Sequence, residues 1–280
     1  MDLAETVLPA GWKAHLELEF ERRGQRSVLA SRRHEGPLVV QKSLHPEGEG
    51  ICHVLVLHPP GGIAGGDHLC VLARCATQSH SVLATPGAGK WYRSSGAWAR
   101  QDIRFELAAD ANLEWLPQET ILFDGALADL RSEVRLAPGA RYLGWDILCF
   151  GRSGSGERMR SGHCRLHTRV EIGGKPVFVE SGDLAGGAAQ FEAAAVLGGH
   201  SVCGTMLAVA PACDKALVKA CREHGPERGQ GAVTLLPGVL VARYLGDSSE
   251  AAKRYFTRLR RILRPAIMAC EASDLRIWST

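Results

Sequence analysis

The feature that most constrains this 280-residue chain is an alternation of apolar and polar residues with period two along most of its length. Gly, Pro, Asp or Asn residues separate the alternating stretches, as is typical of β-strands and their turns. The stretches are HLELEF (15–20), CHVLVLH (52–58), DIRFEL (102–107), ETILFDG (119–125), SEVRLAPG (132–139), LHTRVEIGGKPVFVE (166–180) and VTLLPGVLVARYLG (233–246). Gly173-Gly174 lies between two alternating runs and predicts a hairpin. No helical pattern separates the strands before the last third, so the sequence predicts a β-rich fold.

A weak internal repeat refines this prediction. FELAADANLEW (105–115) resembles VRLAPGARYLG (134–144) at an offset of 29 residues, and SVLATP (81–86) resembles NLEWLP (112–117) at an offset of 31. Repeats of this length are typical of stacked coils of strand that bury a shared core. The alternative is that unrelated strands and turns share similar sequences. The predicted fold class is mostly β, a distorted β-helix or solenoid-like stack of short strands, with two helices in the C-terminal third.

Both predicted helices lie late in the chain. CDKALVKACREHG (213–225) has apolar residues at helical spacing. SSEAAKRYFTRLRRILRP (248–265) begins with Ser248 or Ser249 as a possible cap and is predicted to end before Pro265. Arginines occupy much of the surface beside its apolar stripe, so this helix could pack on the sheet or dock on a partner. The stripe consists of Ala252, Tyr255, Phe256, Leu259, Ile262 and Leu263.

Composition argues against several classes of protein. The net charge of +3 is too small to indicate nucleic-acid binding. No apolar run reaches the roughly 18 residues that a membrane-spanning helix needs, and the first residues do not resemble a signal peptide. The nine cysteines are scattered without a disulfide framework. We therefore expect a cytoplasmic protein with free thiols that contacts neither nucleic acid nor membrane.

The glycine-rich segment HPPGGIAGGDHL (58–69) does not match a nucleotide-binding or catalytic motif. A phosphate-binding P-loop ends in Lys followed by Ser or Thr, and this segment ends in Asp-His-Leu. The chain also lacks the GxSxG sequence that positions a nucleophilic serine in many hydrolases. A small-molecule hydrolase is therefore only a weak alternative.

Metal-binding residue types are concentrated near the same segment. They are Cys52, His53, His58, His68, Cys70 and Cys75. Their spacing includes no CxxC, HxxxH or HExxH pattern, so the sequence does not predict a tight metal site.

Three acidic residues lie next to or within apolar strand sequences: Asp67, Asp146 and Glu180. Burial of a carboxylate costs several kcal/mol unless it is paired, hydrogen-bonded or bound to a metal. Each of the three could be satisfied by a turn or by an arginine. Alternatively, they could line a polar passage that holds water or a weakly bound cation.

The ordered motifs resemble those of a known family. The segments are GPLVVQKSLHPEG (36–48), CHVLVLHPPGGIAGGDHL (52–69), TPGAGKWYRSSG (85–96), LEWLPQETILFDGA (113–126) and LGWDILCFGRSGSGE (143–157). Their order and spacing are similar to those of urease accessory proteins of the UreD family, also called UreH. The resemblance is specific from about Trp12 to Leu184 and looser through the C-terminal helix.

The resemblance implies a chaperone without turnover of its own. Members of this family act with UreF and the GTPase UreG on apo-urease, within an assembly thought to be dimeric, and help nickel reach the urease active site. The family has a β-helix-like fold and a proposed internal tunnel for Ni²⁺, so nickel would be bound only transiently and no cofactor tightly. Matched motif by motif, its acidic tunnel positions fall on Asp67, Asp146 and Glu180.

These observations give a set of expectations for the structure. The chain forms a single domain, with a β-rich part over 12–200 and a helical and strand region over 201–280. Gly61, Gly62, Gly65 and Gly66 form a rigid crossing that places Asp67 at a polar interior surface. The region of about 200–280 meets UreF through Tyr255, Phe256, Leu259 and Ile262. A scaffold that remodels apo-urease without conducting nickel remains the main alternative.

Overall fold

A computed structural model describes residues 11–279 of the chain. The strands are β1 (Lys13–Arg23), β2 (Arg26–Glu35), β3 (Val39–Leu44), β4 (Cys52–Leu57), β5 (His68–Cys75), β6 (His80–Ala84), β7 (Gly89–Trp91), β8 (Ala99–Leu107), β9 (Asn112–Leu116), β10 (Thr120–Leu122), β11 (Leu127–Leu136), β12 (Arg141–Phe150), β13 (His163–Ile172), β14 (Lys175–Ala185), β15 (Val202–Val209), β16 (Gln230–Leu236) and β17 (Val239–Gly246). The α-helices are α1 (Lys215–Arg222) and α2 (Ser249–Met268), and short 3-10 turns cover Ser153–Ser155, Ala189–Phe191 and Arg276–Ser279.

The strands form two sheets. Sheet A has the order β14-β13-β11-β8-β5-β1-β2. Sheet B has the order β16-β17-β15-β12-β9-β6-β4-β3, and β10 joins β7 to β12 beside it. One extensive apolar core contains buried side chains from both sheets, including Leu18, Phe105 and Phe150.

The chain winds between the sheets as a stack of coils. It passes from β5 to β6, returns as β8 and β9, and returns again as β11 and β12, with parallel pairing between successive coils. This arrangement confirms the predicted solenoid-like fold, with about four turns. Phe105 pairs with Val134, as the offset of 29 predicted. The offset of 31 was wrong by one residue, because His80 pairs with Asn112.

Antiparallel strands close the ends of this stack. β13 and β14 form the predicted hairpin, in which Gly173 and Gly174 both have positive φ angles, a conformation that glycine adopts without steric cost. The last third of the chain adds β15, β17 and β16 to sheet B in antiparallel pairing. The C-terminal strands therefore extend the same sheet as the coils.

The helix α2 covers the outer face of sheet B. Tyr255, Phe256 and Leu259 are at most 2% exposed, and they belong to a second apolar core with Trp145 of β12. This placement corrects the expectation that these three side chains are available to UreF, since they already pack on the sheet. Ile262 is only partly buried, at the edge of the same core.

The helix α2 begins where the sequence predicted but ends later than predicted. Ser248 is the N-cap, and its side chain accepts a hydrogen bond from the backbone N–H of Ala251. The helix continues through Pro265 to Met268, which the sequence pattern did not predict. Proline removes one backbone donor, but Ile267 and Met268 beyond it are buried in the second core. Burial of these side chains supports the extra turn.

Ion pairs attach α2 to sheet B from within the core. Glu114 of β9 accepts hydrogen bonds from Arg260 (2.6 Å) and Arg264 (2.8 Å), and all three side chains are at most 1% exposed. Arg264 also pairs with Glu47 at 2.5 Å, and Glu47 lies 2.6 Å from His53 of β4. Among residues 11–279, no helix is long and apolar enough to cross a membrane.

Candidate functional site

A set of polar side chains crosses the otherwise apolar interior near the C-terminal end of the stack. On sheet B, backbone register aligns Asp146 of β12 with Thr205 of β15 and Thr205 with Arg243 of β17. On sheet A, backbone register aligns Ser132 of β11 with Thr168 of β13, and Thr168 with Glu180 of β14. All of these residues line one cavity of about 130 Å³. We call this set the polar belt: Ser132, Thr168, Glu180, Asp146, Thr205 and Arg243.

Arg243 connects the two sheets at the outer end of the polar belt. Its Nη1 atom lies 2.7 Å from Oε1 of Glu180 and donates a hydrogen bond of 2.6 Å to Oγ1 of Thr205. The side chains of Arg243 and Glu180 are 41% and 34% exposed. Glu180 lies on β14, the edge strand of sheet A. The ion pair therefore lies at a mouth of the cavity that solvent can reach.

Asp146 lies deeper in the polar belt, and its environment differs from that of Glu180. No donor among residues 11–279 forms a hydrogen bond or ion pair with its carboxylate. Burial, with a further contribution from the negative charge of Glu180, raises the pKa of Asp146 to about 6. Burial and the charge of Asp146 also raise the pKa of Tyr142 well above its usual value. Asp146 is thus a carboxylate that can exchange a proton near neutral pH and has free ligand positions.

A larger cavity of about 320 Å³ begins at the glycine-rich segment and meets the polar belt at Asp146. Gly61, Gly62, His58 and Lys90 contribute to its lining. Both cavities share three lining residues, Gln101, Thr120 and Asp146. The two cavities therefore adjoin at these three residues, and Asp146 is the one carboxylate at their junction.

Asp67 has a different role from the one the sequence predicted. Its two carboxylate oxygens accept hydrogen bonds of 2.8 Å from the backbone N–H groups of Trp12 and Ala64. It is 8% exposed and contributes to neither cavity lining. This corrects the expectation that Asp67 lines the interior path. Burial lowers the pKa of the nearby His58, which lines the larger cavity, and the charge of Asp67 opposes that shift.

The glycine-rich segment packs closely against the loop that follows β7. A Cβ atom on Gly62 would lie 2.0 Å from the ring of Tyr92, and one on Gly65 would lie 2.4 Å from Oγ of Ser94. Gly61 and Gly66 have positive φ angles, and Ile63 between them pairs with Trp91. These contacts leave room only for glycine at Gly62 and Gly65 unless neighbouring side chains move.

The structure separates the three carboxylates that the sequence grouped together. It brings Asp146 and Glu180 to one cavity, whereas Asp67 lies in a satisfied turn. The sequence did not single out the other members of the polar belt, which are Ser132, Thr168, Thr205 and Arg243. The position of Arg243 could have been predicted. It lies two residues after Val241 and four after Val239 on β17, so its side chain is on the same interior face of the sheet.

The cysteines and histidines near the glycine-rich segment do not converge on one point. No group of three His, Cys, Asp or Glu residues within 11–279 is arranged to hold a metal ion. His53 contacts Glu47, and His68 lies 2.6 Å from Asp102 on sheet A. Burial raises the pKa of Cys75 to about 12, so its thiol carries a proton at neutral pH. Partners within the fold account for His53, His68 and Cys75, whose thiol lies 3.3 Å from the hydroxyl of Ser81.

Comparison with known proteins supports the resemblance seen in the motifs. The family described as UreD urease accessory protein matches residues 13–279. A urease accessory protein UreD from Dechloromonas aromatica is 50% identical over 273 residues, which cover 96% of this chain and 95% of that protein. A protein of the same name from Azoarcus sp. is 48% identical over 270 residues, with 96% and 95% of the two chains covered.

A third relative, from Methylobacillus flagellatus, is 45% identical over 271 residues and also carries the name urease accessory protein UreD. In this protein too, the similarity covers 96% of the present chain and 95% of the relative. The matched region includes the coils, the polar belt and α2. The chain therefore belongs to the UreD family of urease accessory proteins.

Proposed function

We propose that this chain assists urease maturation by letting Ni²⁺ pass between its two sheets, from the cavity at the glycine-rich segment to the polar belt. The observation that carries the proposal is the junction of the two cavities at the unpaired carboxylate of Asp146. A half-buried carboxylate without a protein partner is costly, and a function that needs a free ligand there explains its presence.

The ligand chemistry of the belt favours passage over storage. Its oxygen ligands come from carboxylates and from the hydroxyl groups of Ser132, Thr168 and Thr205. Oxygen ligands bind Ni²⁺ less tightly than imidazole or thiolate groups, and a conducted ion must be able to leave each site. We therefore infer that nickel is cargo, bound transiently, and that the chain needs no resident cofactor.

The partners in this proposal are apo-urease, UreF and the GTPase UreG, in an assembly that would contain two copies of the complex. GTP hydrolysis would come from UreG, because the sequence here has no P-loop. Contact with UreF would use the C-terminal region, where Ile262 and the arginines of the outer face of α2 remain accessible. The chain would act in the cytoplasm as a chaperone without turnover.

A pair of isosteric variants tests this proposal. Asp146→Asn removes the charge at the junction of the cavities, while Asp183→Asn removes a 61%-exposed charge from the edge strand of the same stack. Both are compared with the unchanged chain in a mixture of apo-urease, UreF, UreG, GTP and Ni²⁺. Nickel incorporated into urease and recovery of the assembled complex are measured together.

The proposal predicts that Asp146→Asn reduces nickel incorporation by at least about tenfold with assembly retained, and that Asp183→Asn does not. Equal incorporation by the Asp146→Asn variant and the unchanged chain would instead favour a scaffold that remodels apo-urease without conducting the ion.

A further inference from the structure

One nitrogen atom of the polar belt lies within hydrogen-bonding distance of two oxygen atoms that could act as cation ligands. Nη1 of Arg243 lies 2.7 Å from Oε1 of Glu180 and 2.6 Å from Oγ1 of Thr205. These oxygens come from different sheets and converge on the same cationic atom. The guanidinium is therefore placed where a cation that crossed this end of the cavity would find its ligands.

The charge of Arg243 is permanent. A guanidinium stays protonated at every pH at which a protein is folded, so it cannot be neutralised to let a second cation approach. Repulsion between unit charges is weakly screened in a partly buried cavity, and a divalent ion doubles it. While Arg243 holds Glu180, Ni²⁺ and the guanidinium compete for the same carboxylate.

The contacts that hold Arg243 in place are few. Among residues 11–279, Glu180 is the only carboxylate paired with it, and its guanidinium lies 5.9 Å from the ring centre of Phe178. With 41% of its side chain exposed, the group is already partly hydrated at the mouth of the cavity. A rotation of the side chain towards solvent would free Glu180 without moving either sheet.

We propose, on the basis of the nickel passage proposed above, that Arg243 is the gate residue of that passage. It fills the cation position between Glu180 and Thr205 in the isolated chain. Its side chain must rotate towards solvent before Ni²⁺ can pass. The isolated protein then holds its outlet closed to cations. Passage would begin only when an outside group, such as a carboxylate of a docked partner, draws the guanidinium away.

The test measures Ni²⁺ binding to the purified full-length chain by titration calorimetry. Arg243→Met keeps the apolar stem beside Phe178 and removes the charge, and Arg243→Gln is a second variant that keeps a polar end. Arg104→Gln is the matched control, because it removes the same charge from a 53%-exposed position on β8. Circular dichroism selects the variants that fold.

The proposal predicts that either folded Arg243 variant binds Ni²⁺ about tenfold more tightly than the unchanged chain, whereas Arg104→Gln changes affinity less than about twofold. Adding Glu180→Gln to the Arg243 variant should remove the gain. No gain in the Arg243 variants, or a gain that survives loss of Glu180, would overturn the gate.

The gate and the passage can fail separately. If the Arg243 variants show no gain while Asp146→Asn still abolishes nickel incorporation into urease, the gate is refuted and the passage stands. If the Arg243 variants bind more tightly but Asp146→Asn activates urease normally, the site at Glu180 binds cations without lying on the route to urease, and the gate proposal falls with the passage.

Discussion

Within residues 11–279, no group neutralises or hydrogen-bonds the carboxylate of Asp146, in contrast to those of Asp67 and Glu180. Sequence alone showed that all three acidic residues lie in or beside apolar strands, and it allowed a turn or an arginine to satisfy each. The structure supplies a turn for Asp67 and Arg243 for Glu180. The pairing of Glu180 with Arg243 depends on how β14 of sheet A faces β17 of sheet B, which no local pattern encodes.

The raised pKa of Asp146 makes a prediction about stability and pH. Its pKa is about 6 in the folded chain and about 4 in the unfolded chain, so the folded state binds the proton more tightly. The stabilisation from that proton is complete below pH 4 and is lost as pH rises through 6. Asp146→Asn mimics the protonated form, and we expect it to exceed the unchanged chain by about 1–3 kcal/mol in unfolding free energy at pH 8.

Urea denaturation at pH 8 and at pH 4 measures this difference. The gap between Asp146→Asn and the unchanged chain should close at pH 4, where both carry an uncharged group. A variant that is less stable than the unchanged chain at pH 8 would show that the Asp146 carboxylate has a partner in solution. The same measurement establishes that the variant used in the nickel experiment is folded.

At the scale of elements, α2 is held to sheet B by charge as well as by apolar packing. Burial alone would raise the pKa of Glu114, but the charges of Arg260 and Arg264, with Nε2 of His80 3.5 Å from its carboxylate, lower that pKa far below its usual range. Similarly, hydrogen bonds from His53 and Arg264 outweigh burial and lower the pKa of Glu47 to about 2. Periodicity and the Ser248 cap predicted where α2 begins. They could not predict that two of its arginines are buried, because their partners lie on β9 and in the loop before β4.

We expect Glu114→Gln to destabilise the chain by about 3–5 kcal/mol, because it leaves two buried guanidinium groups without their shared counter-charge. Glu250→Gln is the matched control. It breaks an exposed pair with Arg254 on the same helix and should cost less than about 0.5 kcal/mol. Chemical denaturation at pH 7 separates the two cases. Similar losses for both variants would mean that the buried network does not anchor α2.

At the scale of the whole molecule, the stack of coils was predictable from two sequence patterns. The period-two alternation predicted the strands, and the repeat of about 30 residues predicted the length of each coil. Phe105 pairs with Val134, so in this coil the repeat also predicted which residues of the two strands lie opposite each other. The polar belt could not be predicted in the same way. It requires β15 and β17, which pair antiparallel after long connections, to bring Thr205 and Arg243 level with Asp146.

The most direct test of nickel passage is to fill the polar belt without changing any charge within it. Thr168→Met places a longer side chain inside the polar belt, while Arg169→Met alters the next residue of β13, which lies on the outer face of sheet A. Nickel incorporated into apo-urease is measured for both variants in complexes shown to be assembled. If nickel passes between the two sheets, Thr168→Met prevents incorporation and Arg169→Met does not. Normal incorporation by a folded and assembled Thr168→Met variant would contradict the claim that nickel passes between the two sheets.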